Sequence, residues 1–348
     1  MKKKLRIAQV APIIERVPPD KYGGIERMVH DLTEELIGFG HEVTLFASGD
    51  SKTGAKLISV YPRGLRESKI NPNKGAEEWT FLNLNSAYKI QESFDIIHDH
   101  NTIMGLPFAQ YSKVPVVVTL HGAIDLNNRR LFSSFTNPYY VSISKSQVES
   151  SPSIKTAANI YNGLNLESYP FSRNHKGYLL FVGRMSFDKG VHHAIDVAQD
   201  LNIPLIIAAK LDDQYIPYYK QYIEPRLYNG QIKWIGEVSE KERNKLMSEA
   251  ICLLNPVTWK EPFGLVMIEA MACGCPVLAF NRGSVPEIVE DKKTGYIVKD
   301  IEEMAFAVSE INRIDRMYCR EYVLKKFNSR KMALAYEKLF YDILEIKL

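Results

Sequence analysis

Residues 261–274 read Glu-Pro-Phe-Gly-Leu-Val-Met-Ile-Glu-Ala-Met-Ala-Cys-Gly, and their order decides the fold. Glu261 and Glu269 stand eight positions apart, the first in a predicted loop and the second about a turn and a half into a predicted helix. Phe263, Gly264 and Leu265 fall at the helix entrance. Backbone N–H groups lack intrahelical partners there, and the positive end of the helix dipole favours an anion. Gly264 removes the side chain where a ligand would approach the backbone. Gly274 stops the helix, and 276–280 reads as the next buried strand. Amides for a phosphate and carboxylates for hydroxyl groups suit a sugar nucleotide. The plainer alternative makes Val266, Ile268 and Met271 a buried helix face and leaves Glu269 in solvent.

Outward from this segment, short apolar runs alternate with helix-period segments, the pattern of parallel sheets with crossover helices. Strands are predicted at 6–12, 42–47, 96–99, 114–120 and 140–143, then at 178–182, 205–208, 232–234, 251–255 and 277–280. Helices are predicted at about 26–38, 190–201, 240–249, 265–273, 303–313 and 329–347. The polar, breaker-rich stretch 162–177 reads as a linker, with Gly163 a hinge. A chain of 348 residues fits two domains of roughly 150–170 residues each. Its net charge of +3 is too small to argue for nucleic acid or an anionic membrane. The basic start, Lys2-Lys3-Lys4-Leu5-Arg6, precedes only a short apolar run, which reads as a first strand and not as a leader. No stretch approaches ~20 apolar residues. Cys252, Cys273, Cys275 and Cys319 lack zinc or thioredoxin spacing, so reduced, cytoplasmic thiols are expected.

Residues 183–190, Gly-Arg-Met-Ser-Phe-Asp-Lys-Gly, follow the predicted strand 178–182. Arg184 offers forked donors and Lys189 a compact charge, which suits a diphosphate; the alternative is two solvated surface cations. In 21–27, Lys-Tyr-Gly-Gly-Ile-Glu-Arg, Gly23 and Gly24 open the first long helix and would let N–H groups meet a phosphate. The spacing is not the Gly-x-Gly-x-x-Gly of dinucleotide enzymes, which argues against hydride transfer. His121 follows a strand, where a lone histidine is ordinarily structural. His98-Asp99-His100 and His192-His193 lack an evident third ligand, and His98 and His100 point opposite to Asp99. No metal is expected.

The segment 261–274 resembles the Glu-x7-Glu signature of family 4 retaining glycosyltransferases of the GT-B fold, and the other motifs match in the same order along nearly the whole chain. The resemblance implies an α/β protein with two Rossmann-like domains, their parallel sheets facing an interdomain cleft. An acceptor-side domain would span 1–165 and a donor-binding domain 166–328, with a C-terminal helix at 329–348 packing back on the first. It implies that Arg184 and Lys189 bind the donor diphosphate, Glu261 the sugar hydroxyls and Glu269 the ribose hydroxyls. Gly23, Gly24, Gly183, Phe263, Gly264 and Leu265 would complete the donor site. His121 would bond a sugar hydroxyl, usually at C6, without acting as a base. Ser142–Ser146 and Asn162-Gly163 would border the cleft, and the backbone of Gly236-Glu237-Val238 would meet the nucleobase. Pro286–Val289 and Thr294-Gly295-Tyr296 would be structural, around a helix and a turn.

The resemblance implies same-face displacement, which needs no protein nucleophile and no cofactor beyond the donor. Among the donors that the resemblance implies, UDP-glucose heads the candidates, ahead of other UDP-hexoses and GDP-mannose. The acceptor, a small molecule or glycan, is not legible. Its expected loops, 63–80 and 122–135, carry Arg63, Arg66, Trp79, Asn127, Asn128, Arg129 and Arg130, with Trp79 or Phe81 available for stacking. A lipid-linked acceptor would require peripheral membrane contact. The competing readings are a sugar-nucleotide epimerase, a phosphorylase and a non-catalytic sugar-nucleotide-binding protein. A two-carboxylate glycosidase has no use for a diphosphate clamp.

Overall fold

A computed structural model describes residues 3–68, 75–125, 127–149, 152–227 and 230–346. Its strands form two sheets in which every pair is parallel. The chain divides into one unit of 1–165 plus 328–348 and another of 166–327.

In the first unit the strands are β1 (Arg6–Val10), β2 (Glu42–Phe46), β3 (Lys56–Ile58), β4 (Ile96–Asp99), β5 (Val116–Leu120), β6 (Tyr139–Ser142) and β7 (Thr156–Asn159). They lie in the order β3-β2-β1-β4-β5-β6-β7. A parallel sheet covered on both faces needs apolar side chains on both, and β5, Val-Val-Val-Thr-Leu, is buried at each position. The helix Gly24–Gly38 buries Met28, Val29, Leu32 and Leu36. Against it packs the helix Ser329–Ile343. Tyr336 of that last helix reaches Thr119 Oγ1 at 2.8 Å, and the Tyr341 hydroxyl donates to the Lys3 carbonyl at 2.6 Å.

The second unit carries β8 (Leu179–Arg184), β9 (Leu205–Lys210), β10 (Ile232–Trp234), β11 (Leu253–Asn255), β12 (Val277–Phe280) and β13 (Gly295–Val298), in the order β10-β9-β8-β11-β12-β13. In both sheets the strand order reverses beside the first strand, between β1 and β4 and between β8 and β11. Open parallel sheets bind ligands outside the carboxyl ends of such a pair. Those ends carry Asp99 and His100 in one unit and Arg184 in the other.

Several expectations need correction. β3 is an edge strand of three residues with no clear apolar alternation, and no strand is expected there. Thr294-Gly295-Tyr296, read as a turn, leads into β13, whose Gly295 lies so close to Val277 that an added Cβ would sit 1.8 Å from its carbonyl oxygen. β8 runs on through Gly183 and Arg184, paired with Lys210. The predicted helix 303–313 ends earlier, as Ile301–Ser309. The longer helices Ala76–Tyr88 and Arg316–Lys326 go unpredicted, as do the short Leu106–Gln110 and Arg129–Ser134. Gly163 is no free hinge: its N–H meets Met332 Sδ at 3.1 Å, and an added Cβ would lie 2.3 Å from the Asn328 carbonyl oxygen. Gly163→Ala should therefore cost about 2–3 kcal/mol of stability by overpacking; a urea denaturation midpoint equal to wild type would refute the close packing.

Candidate functional site

In the second unit the loop after β8 is held at both ends. Met185 N–H donates to the Lys210 carbonyl at 2.7 Å and Thr258 N–H to the Asp188 carbonyl at 2.9 Å. Gly190 takes φ 73°, and a Cβ there would lie 2.1 Å from the Pro256 carbonyl oxygen. Only glycine permits this approach. It brings the 183–190 loop against 256–261, so that the Lys189 ammonium contacts Glu261 Oε2. The Trp259 indole N–H donates to the same oxygen at 3.2 Å, and the ammonium lies 5.1 Å from the centre of the Trp259 ring. Arg184 reaches the Tyr215 hydroxyl at 3.3 Å and Asp188 Oδ2 at 3.4 Å. Gly183 and Arg184 are the last residues of β8.

The loop from Glu261 to the next helix is fixed by residues the sequence reading did not single out. Ser284 N–H donates to the Glu261 carbonyl at 2.9 Å, and Ser284 Oγ to the Phe263 carbonyl at 2.7 Å. Gly283, at φ 57°, leaves no room for a Cβ, which would meet the Glu261 carbonyl oxygen at 2.3 Å. Gly264 precedes the helix Leu265–Ala272 in a left-handed conformation, φ 81°. The Phe263 ring is buried against Phe327, 5.8 Å between centroids, so Phe263 can offer a ligand only its backbone. Glu269 is buried, its Oε1 held by Arg243 at 2.9 Å and by the Tyr169 hydroxyl at 3.5 Å. The solvated alternative for Glu269 is thereby excluded. Arg243 sits in a helix, Glu240–Glu249, that opens with a Ser239–Glu242 capping box; no local signal ties it to Glu269.

In the first unit Gly23, at φ 147°, caps the helix Gly24–Gly38. A Cβ on Gly23 would strike Pro19 at 2.7 Å. His98 and His100 do share one side of the sheet, ring centroids 4.0 Å apart, while Asp99 turns away to the Tyr88 hydroxyl at 2.9 Å. His98 Nε2 meets Thr119 Oγ1 at 2.7 Å. His100 meets Gln9 Oε1 at 2.7 Å and His121 Nε2 at 3.0 Å. Burial pushes the acidity of the His121 imidazolium up, its pKa falling to about 3, and holds those of His98 and His100 well below the ordinary value. These rings are neutral hydrogen-bonding groups. Gln147, also unforeseen, donates through Nε2 to the Leu120 and Gly122 carbonyls at 2.7 Å each, on either side of His121.

The expected acceptor loops are only partly loops. Residues 69–74 and 126 lie outside the described residues. Trp79 belongs to the helix Ala76–Tyr88 and packs edge-on against Tyr61 at 4.7 Å. Phe81, in the same helix, is exposed. Arg66 pairs with Glu15 at 2.5 Å. Asn128 closes its own loop, donating to the Ala123 carbonyl at 2.9 Å. Arg63, Asn127, Arg129 and Arg130 are exposed.

Residues 169–320 match the family model described as Glycosyl transferases group 1, and residues 22–154 match Glycosyltransferase Family 4. The chain belongs to the family 4 glycosyltransferases. Together the two matches take in most of both units and every proposed site residue. N-acetyl-alpha-D-glucosaminyl L-malate synthase of Bacillus anthracis is 24% identical, covering 92% of this chain and 94% of that protein. Among solved structures, AviGT4, a glycosyltransferase involved in avilamycin A biosynthesis, superposes with a TM-score of 0.76 at 22% identity, covering 98% of each chain. HepE of Anabaena in complex with UDP and glucose gives a TM-score of 0.72 at 18% identity, covering 97% of this chain and 100% of that one. At these identities the structures establish the GT-B fold, and the chain is a glycosyltransferase of that class.

Beside the Gly23 turn, burial lifts the Glu26 carboxyl to about 7, from an ordinary 4.5; Glu15 adds to the rise while Arg66 and Arg27 oppose it. A carboxyl raised on folding is stabilising while protonated and loses that advantage as pH rises. Replacing Glu26 with Gln should leave stability at pH 4.5 little changed. The variant should then gain on wild type up to about pH 7, by up to about 3 kcal/mol, and the gap should level off above. Chemical denaturation of both proteins across this range checks it; a pH-independent difference would be the contrary result.

Proposed function

We propose that this chain is a retaining, nucleoside-diphosphate-sugar-dependent hexosyltransferase that takes glucose from UDP-glucose and passes it to a hydroxyl acceptor. The observation that carries the reading is the Lys189–Glu261–Trp259 cluster at the carboxyl end of the second sheet, with Arg184 at the end of β8, where the Lys189 loop begins. Breaking a glycosyl–phosphate bond builds negative charge on the departing diphosphate. Lys189 has three donors and spends one on Glu261, leaving others for phosphate oxygens. Arg184 and the amides at Gly264 and Leu265 add to that stabilisation, which is often the largest catalytic contribution.

Glu261, anchored by Trp259, would receive sugar hydroxyls, and Glu269, its rotamer set by Arg243, the ribose hydroxyls. Carboxylates that accept hydroxyl hydrogens work while ionised. The departing phosphate would take the acceptor's proton on the same face of the sugar, and no protein nucleophile is assigned. The reading requires no metal and no cofactor beyond the donor. UDP is favoured as the nucleotide because HepE, which shares the fold, is described in complex with UDP and glucose. Cytoplasmic residence is consistent with four buried, unpaired cysteines. No helix among the described residues is long and apolar enough to cross a membrane.

A thermal-shift panel of UDP, GDP, ADP and their sugar conjugates tests the donor without an acceptor. Ligand at ~100 times its dissociation constant adds about 2.7 kcal/mol to native stability. UDP and UDP-glucose should raise the melting point by a few degrees; folded protein indifferent to every nucleotide would defeat the proposal. Lys189→Ala or Arg184→Ala should lower kcat at least ~100-fold with the fold retained, and near-wild-type turnover in both would dismiss the diphosphate role. Product of inverted anomeric configuration, read by NMR, would exclude same-face displacement.

A further inference from the structure

In the first unit a chain of three buried or half-buried side chains runs from β1 to the residue after β5. Gln9 Oε1 lies 2.7 Å from His100 Nε2, and His100 Nδ1 lies 3.0 Å from His121 Nε2. A carboxamide oxygen only accepts, so His100 Nε2 must carry the hydrogen. A neutral imidazole has one N–H, so His100 Nδ1 presents a lone pair and His121 Nε2 must donate to it. The hydrogen of His121 is then spent, and its Nδ1 is bare. Among the described residues His121 Nδ1 meets no protein partner, while Gln147 fixes the carbonyls on either side of the ring.

We propose that Gln9, acting through His100, sets the tautomer of His121 so that its open Nδ1 accepts a hydrogen bond from substrate and never donates one. Gln9 and His100 are positioning residues in this scheme; only His121 would touch a ligand. The consequence is selective. A ligand group facing Nδ1 must bring its own hydrogen, as a hydroxyl or an N–H does, whereas a carboxylate or carbonyl oxygen would meet lone pair with lone pair. Neutrality matters as much as direction, since an imidazolium would donate from both nitrogens. Burial holds His98, His100 and His121 in the neutral form, and for His98 and His100 the neighbouring imidazoles add to it. The polarity rests on the amide orientation of Gln9, whose Nε2 is buried without a partner. The reverse orientation would turn both imidazoles over and make His121 Nδ1 a donor, so the tautomer reports the chain's direction.

That His121 faces substrate rests on the transferase reading; the tautomer itself does not, and the test is made on the ligand-free protein. Uniformly 15N-histidine-labelled chain, examined by long-range 1H–15N correlation with His121 assigned from a His121→Asn spectrum, should show His121 protonated at Nε2 and bare at Nδ1. A His121 protonated at Nδ1 would overturn the proposal from the wild-type spectrum alone. Gln9→Met, close in volume but without the acceptor, should lose the single tautomer and give a mixture; a variant that keeps the pure Nε2–H form would remove Gln9 from the chain of control. If the tautomer is as proposed and no nucleotide sugar binds, it is the donor assignment that fails and not the relay.

Discussion

The Lys189–Glu261 contact is the interaction on which the second unit's site depends. Both side chains are largely withdrawn from water, at 18% and 10% exposure. Two charges so placed hold together only if the remaining bonding capacity is met. Trp259 meets it on one side, offering its N–H to Glu261 and its ring face to Lys189. The backbone fixes where the two charges meet. Gly190 lets the two loops touch at Pro256, and Gly283 with Ser284 clamps the main chain of Glu261. A larger residue at either glycine would part the loops before it disturbed any charge. Removing one partner of the ion pair would strand the other. Backbone packing thus precedes electrostatics here: two chain segments are forced together by small residues, and the charges pair where that packing puts them.

How much of this was legible follows from which forces are local. Helix entrances declared themselves: Gly264, Gly190 and Gly23 occupy the positive-φ caps that glycine marks in a sequence. Central strands did as well, because a strand buried on both faces is apolar throughout, as in β5. Edge strand β3 has no such run, and β13 begins with the glycine that suggested a turn. The helix Ala76–Tyr88 shows weak amphipathic periodicity, so its Trp79 passed for a loop residue. At the site, the carboxylates and cations were visible as motif members. Their partners Arg243, Ser284, Gln9 and Gln147 were not, because each acts across the fold and nothing in its own neighbourhood marks it; Trp259 stands only two residues from Glu261, but no local pattern says that its indole turns to that carboxylate.

The two units gather their buried polar side chains with different chemistry. The second is built from ion pairs, Lys189 with Glu261 and Arg243 with Glu269, which suits a partner whose charge changes during reaction. The first is built from neutral donors and acceptors in series, His98 to Thr119 to Tyr336 and Gln9 to His100 to His121. A buried neutral network answers to hydrogen-bond direction and to little else. Placing a formal charge among those imidazoles would cost desolvation that no nearby carboxylate among the described residues offsets: Asp99, the adjacent acid, faces the other side of the sheet and is itself bonded to Tyr88 and Asn101. The pleat enforces this separation, since alternate residues of β4 must point to opposite faces. One residue of slippage in β4 would put Asp99 beside His121 and convert a direction-reading group into a cation. The register of a single four-residue strand therefore decides which kind of chemistry the first unit can offer.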